Sequence, residues 1–267
     1  MTTAACLLAF SLLAQQPARE VIVATTTSLN DTGLLDSLAP LFSRASGFSI
    51  RVVAVGSGQA LRMGERGDAD IVLVHSPAAE SAFVARGHGL SRRPFASNYF
   101  TIVGPAGDPA GVRRAANLAE AMRAIAAGDV VFVSRGDSSG THVRELALWR
   151  AAGGLARWRG YLETGQGQAP TLLVADERRG YSLTDRSTLG SLRQRVALVP
   201  LREREPALLN VYSVIELNPL GRPRLNAAGA RAFADFLLSS DVQRLLRSFG
   251  RSRFGEALFE PAGPRGG

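Results

Sequence analysis

The sequence has no lysine, so arginine supplies all 31 of its lysine-plus-arginine residues. Without lysine the chain cannot complete the glycine-rich P-loop motif, in which a lysine reaches the nucleotide phosphates. The arginines occur singly or in pairs, and aromatic residues make up only 7% of the chain. A nucleic-acid interface requires a clustered basic stripe with interleaved aromatics, so we expect no nucleic-acid partner. The net charge of +8 instead predicts a solvated basic surface that attracts small anions.

Cysteine and histidine are also scarce. Cys6 is the only cysteine, and the three histidines are His75, His88 and His142. No group of histidine, cysteine and carboxylate residues has the spacing of a metal site, so the sequence predicts neither a bound metal cation nor a cofactor.

Residues 1–18 have the pattern of an export signal. An apolar stretch runs from Ala4 to Ala14, which is long enough for a signal core but too short to span a bilayer. Cys6 lies inside this stretch, too early for a lipoprotein cysteine. Cleavage after Ala14 or Ala18 would leave a mature chain without a thiol. We therefore expect an exported protein in the periplasm.

Strand, polar turn and helix alternate along the first part of the chain. Apolar strand patterns at 21–24, 48–55 and 71–74 are each followed by polar residues and then by a helical pattern. Three such units within about 65 residues predict parallel strands in a doubly wound α/β sheet. Ligands of such sheets bind beyond the carboxyl ends of the strands.

The polar residues after these strands are candidate ligand-binding residues. Thr26, Thr27 and Ser28 follow the first strand, Ser57 lies between two glycines after the second, and His75 follows the third. The glycines allow close approach of the backbone to a ligand. A structural interpretation stands beside the functional one, because hydroxyls often cap helices. For His75 we favour a structural role as a buried hydrogen-bonding group.

A fourth unit contains the most informative segment, residues 134–142. Its sequence Ser-Arg-Gly-Asp-Ser-Ser-Gly-Thr-His lies between an apolar strand at 130–133 and a helical pattern. Ser139 is a good N-cap, and Glu145 lies in the first turns, where a carboxylate suits the helix macrodipole. Such a turn presents unpaired backbone N–H groups, several hydroxyls and the Arg135 guanidinium to one point. The segment therefore predicts an anion site.

The later elements predict a second α/β unit and two segments that cross between the units, near 97–103 and 201–214. We expect a strand at 196–199 and a last helix capped by Ser240 or Asp241. Two lobes joined by two crossing segments would form a hinged clamp, each lobe a doubly wound sheet, with the ligand in the cleft between them. The expected boundaries are residues 19–97 with 210–260 for lobe 1, residues 98–209 for lobe 2, and residues 261–267 for a disordered tail.

The segment from Gly136 to Gly140 also matches the G-x-S-x-G pattern of serine hydrolases, with Ser138 as the nucleophile. In that fold the acid and the histidine follow the serine, but no histidine follows residue 142. His142 shares a turn with Ser138 and cannot easily reach it as a base. We therefore expect no enzyme activity and keep hydrolysis only as an alternative.

Several motifs between residues 25 and 215 occur together in one order. They are T-T-T-S at 25–28, D-x-G-L-L at 31–35, V-G-S-G at 55–58, G-D-A-D with V-H at 67–75, S-R-G-D-x-S-G-T-H at 134–142, Y-x-L-T-D-R-x-T at 181–188 and N-x-Y at 210–212. This pattern resembles the periplasmic solute-binding proteins of bacterial ABC importers, in the two-lobed type II class that binds oxyanions. The resemblance is closest to the tungstate-binding branch.

The resemblance implies a ligand set drawn from three loops. Hydroxyl and backbone N–H groups would act as donors, and one guanidinium would supply the charge. The implied residues are Thr27, Ser28, Ser57, Arg135, Ser139, Gly140 and Thr141, with Thr26, His75 and Ser138 as further candidates.

The resemblance also implies which oxyanion binds. Related phosphate binders share the arginine followed by S-G-T, and they place an aspartate after the third strand to accept the phosphate proton. Here that region reads Val74-His75-Ser76, without a carboxylate. A buried carboxylate would repel a fully deprotonated oxyanion, so its absence favours one.

Taken as a whole, the resemblance implies a monomer that binds tungstate and delivers it to the transmembrane permease of an ABC importer without covalent chemistry. Molybdate, or sulfate, is the alternative ligand. An envelope oxyanion sensor is the alternative role.

Overall fold

The computed structural model describes residues 19–137, 139–155 and 158–262. The export signal expected at residues 1–18 lies outside the described residues, as do Ser138 and residues 263–267. Within the described ranges, no helix combines the length and the apolar character that a membrane crossing requires.

Strands and helices alternate over most of the chain, as the sequence predicts. The strands are β1 Glu20–Thr26, β2 Ser49–Val55, β3 Ile71–Val74, β4 Gly89–Gly104, β5 Phe132–Ser134, β6 Tyr161–Glu163, β7 Ser182–Asp185, β8 Val199–Arg202, β9 Leu209–Leu217 and β10 Glu260–Pro261. The helices are α1 Thr27–Asn30, α2 Leu34–Ser46, α3 Ser57–Arg66, α4 Pro77–Ala85, α5 Leu118–Ala127, α6 Gly140–Ala151, α7 Gln168–Glu177, α8 Arg186–Ser191, α9 Ala227–Leu237, α10 Ser240–Leu246 and α11 Arg251–Phe254, with 3₁₀ turns at Val112–Arg114 and Pro206–Leu208.

The first three strands are parallel, with β1 between β2 and β3. Their register places Thr26 opposite Val55 and Val23 opposite Ile71, so their carboxyl ends share one edge of the sheet. β9 continues this sheet antiparallel to β3. The predicted parallel α/β unit is therefore confirmed, and the loops after β1, β2 and β3 emerge side by side.

The long strand β4 belongs to both halves of the molecule. Its first part pairs with β9, from Gly89 opposite Leu217 to Tyr99 opposite Leu209. From Phe100 onward it pairs instead with β7 and β8. β4 and β9 thus form the two crossing segments that the sequence predicts.

The buried apolar residues separate into cores on either side of these crossings. Two clusters contain residues from 21–96 and 212–259, including Phe42, Phe233 and Phe83. Two others contain residues from 100–208, including Trp149 and Leu172. The lobe boundaries expected at 97/98 and 209/210 stay a prediction with which this division agrees.

Three local predictions need correction. The strand expected at 196–199 begins only at Val199, because the N–H groups of Val196 and Ala197 bond to Leu192 O and to the Asp176 carboxylate. The cap of α10 is Ser239, whose hydroxyl accepts from Val242 N, rather than Ser240 or Asp241. Pro261, expected in a disordered tail, instead pairs with Ala96 in β10.

Candidate functional site

The first loop of the candidate site is helical, not an open turn. β1 ends at Thr26 and α1 begins at once with Thr27 and Ser28. The Thr26 hydroxyl accepts from Leu29 N at 3.3 Å and so caps this helix. Its Oγ1 also lies 3.3 Å from Ser28 Oγ. Thr26 therefore has the structural role that the sequence left open, and Thr27 and Ser28 occupy the helix start.

Ser57 holds the corresponding position after β2. It is the first residue of α3, and the N-cap Gly56 has no side chain to bond the free N–H groups of that end. The Ser57 side chain is buried, yet its Oγ has no hydrogen-bond partner among the described residues. A buried hydroxyl without a partner is costly, so it requires an explanation.

The Arg135 segment joins β5 to α6 as predicted. Ser139 caps α6, and its hydroxyl accepts from His142 N at 3.3 Å. The carbonyl of Arg135 accepts from Gly165 N at 2.8 Å, which ties the segment to the loop after β6. Gly136 has a φ of +61°, a conformation that favours glycine, and Glu163 leaves no room there for a side chain.

Arg135 is almost entirely buried and has one carboxylate neighbour. Its Nη2 lies 2.5 Å from Asp137 Oδ2, while the other oxygen of Asp137 accepts from Ser139 N at 3.1 Å. The Arg135 Nε has no partner among the described residues. One edge of the guanidinium therefore keeps its donor available.

Thr141, in the first turn of α6, presents a third such donor. The residue is 1% exposed, and its Oγ1 has no partner in the described part of the chain. The first N–H groups of a helix also lack intrahelical acceptors. The nearby Ser138 lies outside the described residues, so its role stays a prediction.

His75 connects the loops of the two halves. Its Nε2 lies 3.3 Å from Ser28 Oγ, and its Nδ1 lies 2.8 Å from Asn210 Oδ1 in β9. A Cβ atom added to Gly140 would lie 2.6 Å from His75 Cε1, so the start of α6 packs directly against the ring. The histidine has the buried hydrogen-bonded position that the sequence analysis favours.

Charged groups of both halves influence these loops. Burial lowers the pKa of His75 to about 4 and raises the pKa of Asp31. Asp185 raises both pKa values and Arg135 lowers both, so these charges lie within electrostatic reach of the first and third loops. Arg144 also lowers the pKa of His75, and its Nη2 donates to Leu209 O at 3.1 Å.

Asp185, whose motif the sequence analysis noted without a role, is fully engaged by protein donors. It caps α8 by accepting from Thr188 N at 2.9 Å. Its carboxylate also accepts from the hydroxyls of Ser187 and Thr188. These donors leave the carboxylate little capacity to accept a proton from a ligand.

Sequence reasoning missed two residues that support the arginine segment. Asp137 belongs to an Arg-Gly-Asp tripeptide, and its spacing of two residues from both Arg135 and Ser139 was the available signal. Glu145 was assigned to the helix macrodipole, and that was wrong. It is buried and accepts from Ser134 Oγ at 2.7 Å, Tyr161 OH at 2.9 Å and Trp149 Nε1 at 3.1 Å.

Glu145 and its three donors, here called the Glu145 cluster, contact the segment that contains Arg135 through Ser134. The Ser134 hydroxyl that donates to Glu145 also accepts from Gly136 N at 3.2 Å. Burial raises the pKa of Glu145, and the three donors partly offset this effect. The cluster therefore holds the two residues on either side of Arg135.

Three side chains of the candidate site bury hydrogen-bond donors. Ser57 Oγ, Arg135 Nε and Thr141 Oγ1 come from two halves of the fold and share the lack of a protein acceptor in the described ranges. Helix α3 begins at Ser57 and helix α6 at Gly140, so both helix starts add backbone N–H groups to these donors. Such a donor set suits an anion with several acceptor oxygens.

Comparison with protein-family models shows to which superfamily the chain belongs. The model described as "PBP superfamily domain" matches residues 13–241, most of the chain. The chain belongs to the PBP superfamily. This membership agrees with the α/β two-lobed architecture and with the mixed sheet that curls through β4.

Individual members of the superfamily are similar over most of their length. The tungstate-binding protein TupA of Peptoclostridium acidaminophilum is 43% identical over 243 residues, which cover 90% of this chain and 85% of that protein. The structure of tungstate-binding protein TupA from Desulfovibrio alaskensis G20 has 43% identity and a TM-score of 0.79, covering 92% of this chain and 99% of that one. The structure of the tungstate ABC transporter from Geobacter sulfurreducens has 41% identity and a TM-score of 0.76, covering 83% and 95%. Within the superfamily, the chain belongs to the family of these solute-binding proteins.

Proposed function

We propose that this protein binds tungstate between its two lobes and delivers it to the membrane permease of an ABC importer. One observation carries the proposal: Ser57, Arg135 and Thr141 each bury a donor that has no acceptor among the described residues. All three belong to the ligand set implied by the sequence motifs. Two of the similar proteins named above are described as tungstate-binding, and the third as a tungstate ABC transporter.

The proposed ligand shell combines side-chain and backbone donors. Arg135 supplies the positive charge, and hydroxyl and N–H groups surround the remaining oxygens. Each charge-assisted hydrogen bond contributes about 1.5–3 kcal/mol. About seven of them, less the cost of association, are enough for nanomolar affinity, about −12 kcal/mol. The proposed ligands are Thr27, Ser28, Ser57, Arg135, Ser139, Gly140 and Thr141.

The hydrogen-bonding state of the neighbouring carboxylates supports an unprotonated oxyanion. Monohydrogen phosphate carries a proton that must find an acceptor, whereas tungstate carries none at neutral pH. The Asp137 oxygens are engaged by Arg135 and Ser139, and the Asp185 oxygens by Ser187 and Thr188. The resemblance implies that phosphate binders carry an aspartate in the region after the third strand, where this chain has His75. This set favours tungstate or molybdate over phosphate.

The remaining features of the proposal concern the setting of the protein. We place it in the periplasm as a monomer that makes and breaks no covalent bond and contacts no nucleic acid. Its lobes would comprise residues 19–97 with 210–260 and residues 98–209. Molybdate or sulfate is the alternative ligand, and an envelope oxyanion sensor is the alternative role.

Calorimetric titration of the purified protein with tungstate, molybdate, sulfate and phosphate tests the proposal, with competition where binding is too tight. We expect nanomolar or tighter binding of tungstate and clearly weaker binding of molybdate. Equal tight binding of both would indicate a general receptor for the two anions. Binding of phosphate or sulfate alone would contradict the assigned ligand, and no binding would contradict the transport role.

A further inference from the structure

The His75 ring lies between two parts of the proposed ligand shell. On one side it contacts the start of α1, where Nε2 lies 3.3 Å from Ser28 Oγ. On the other side it contacts the start of α6. A Cβ at Gly140 would lie 2.6 Å from Cε1, 2.9 Å from Nδ1 and 3.0 Å from Nε2. The ring therefore fills the space between Ser28 and Gly140, with no room for one more carbon atom.

Residues of the crossing strands β4 and β9 hold the His75 ring in place. Asn210 Oδ1 lies 2.8 Å from Nδ1, and Asn210 Nδ2 donates to Asn98 Oδ1 at 2.8 Å. Tyr212 packs on the ring with a centroid distance of 4.9 Å, and Phe100 packs at 6.1 Å. These contacts come from β4 and β9, so the position of the ring is set by the hinge strands.

The hydrogen bonds also indicate which ring nitrogen of His75 carries the proton. Because Asn210 Nδ2 donates to Asn98, its Oδ1 accepts, and His75 Nδ1 must carry the hydrogen. Burial lowers the pKa of His75 to about 4, so the ring is neutral at pH 7 and Nε2 is an acceptor. Nε2 then accepts the Ser28 hydroxyl hydrogen, so the backbone N–H is the donor of Ser28 that we assign to an anion.

We propose that His75 is a positioning residue that sets the distance between the donors of α1 and those of α6, and thereby selects oxyanions by size. This inference rests on the proposed function of the site. The ring acts as a rigid spacer because packed interiors and hydrogen bonds tolerate only small displacements. With Gly140 against the ring, as in this structure, we expect the donors to stand at a spacing that suits a large tetrahedral oxyanion. The smaller sulfate cannot contact the donors of both helices at once. Some donors then stay unpaired, and this cost discriminates against sulfate.

Two substitutions and their combination test the spacer. Gly140→Ala adds the carbon atom for which the ring leaves no space, so it should hold the lobes apart and weaken tungstate binding by about tenfold or more. His75→Ser removes the ring and should lower the ratio of sulfate to tungstate dissociation constants by about tenfold, because the lobes can then close further. The double variant should recover much of the tungstate affinity that Gly140→Ala alone loses, because the added carbon then has room.

A matched control separates this effect from a general effect of alanine at a helix start. Gly167 is the N-cap of α7, and a Cβ there would meet only Pro170 Cδ, at an ordinary 3.9 Å. Gly167→Ala should leave the affinity and the selectivity ratio within about threefold of the original protein. His75→Asn, which keeps a polar side chain but removes the ring, provides a second variant should His75→Ser fold poorly. Circular dichroism confirms folding for each protein.

The measurement is calorimetric titration of each folded variant with tungstate and with sulfate. Recovery of affinity in the double variant together with a lowered ratio in His75→Ser or His75→Asn supports the spacer. Tungstate binding by the unaltered protein, without recovery and with an unchanged ratio in the variants, overturns it and leaves the proposed function intact. Failure of the unaltered protein to bind tungstate overturns the proposed function itself.

Discussion

Arg135 and Asp137 form an ion pair in which Nη2 of the arginine lies 2.5 Å from Oδ2 of the carboxylate. The second carboxylate oxygen accepts from Ser139 N, so Asp137 links the arginine to the residue that caps α6. The pair occupies one part of the guanidinium and leaves Nε without a partner among the described residues. The arginine is therefore oriented by the protein itself and does not need to reorganise when an anion binds.

Replacement of Arg135 by alanine should abolish high-affinity tungstate binding. Two charge-assisted hydrogen bonds at about 1.5–3 kcal/mol each correspond to a loss of about 10²–10⁴-fold. Arg150, exposed in the last turn of α6, offers a control, and Arg150→Ala should bind as the unaltered protein does. Calorimetric titration of both variants provides the measurement. Nanomolar binding by Arg135→Ala would refute the role assigned to the arginine.

Replacement of Thr141 by valine should weaken binding without destabilising the unliganded protein. The hydroxyl has no partner among the described residues, so its removal breaks no internal hydrogen bond and relieves a buried polar atom. We expect an affinity loss of about 10–150-fold, the equivalent of one charge-assisted hydrogen bond. Thr141→Ser keeps the hydroxyl and should lose far less. Thermal unfolding with and without tungstate measures both effects, and a large drop in the unliganded midpoint for Thr141→Val would contradict this account.

The contribution of His75 to the stability of the unliganded protein should fall as the pH decreases from 6.5 toward 4. Burial lowers the pKa of His75 from 6.5 to about 4, so between these values the unfolded chain binds a proton that the folded protein does not. The stabilisation is complete above pH 6.5 and is lost as the pH falls to about 4, by on the order of 2–3 kcal/mol.

Urea unfolding at several pH values tests this dependence against a variant. His75→Gln should show a smaller decrease in the free energy of unfolding over the same range, because the titrating ring is absent. His88→Gln, which changes a histidine outside the Asn210 network, should retain the decrease. Identical pH profiles for His75→Gln and the unaltered protein would mean that another group controls the stability.

Replacement of Glu145 by leucine should strongly destabilise the fold. The substitution leaves the donors of Ser134, Trp149 and Tyr161 buried without their acceptor. The expected loss is about 3–5 kcal/mol, because a buried donor that loses its acceptor costs about 1–3 kcal/mol. Glu145→Gln keeps an acceptor and should cost less, and Glu177→Leu, at an exposed position in α7, should change stability by about 0.5 kcal/mol or less. Denaturation followed by the near-UV signal of the two tryptophans, Trp149 and Trp158, provides the measurement, and equal stability of all three variants would show that the cluster contributes little.

Local patterns in the sequence predicted most strands and helices and indicated the polar turns of the candidate site. Apolar runs followed by hydroxyl-rich turns marked β1, β2, β3 and β5, because strand periodicity and helix capping are short-range properties. Topology rules then placed the ends of parallel strands at one edge of the sheet. Ser57 and Arg135, whose buried donors lack partners among the described residues, were named from these patterns, whereas Thr141 was named through the family resemblance.

Long-range contacts decided what the sequence left open. The sequence favoured a structural role for His75, but its partners are distant: it bonds to Asn210 across 135 positions of the chain and packs against Gly140 on α6. Glu145 suited a macrodipole by position alone, but the fold turns it into a buried acceptor for Tyr161, Trp149 and Ser134. Local sequence determines which segment forms a strand, a helix or a donor-rich turn. Tertiary packing decides which side chains face one another, because burial and hydrogen-bond partners depend on residues far apart in the chain.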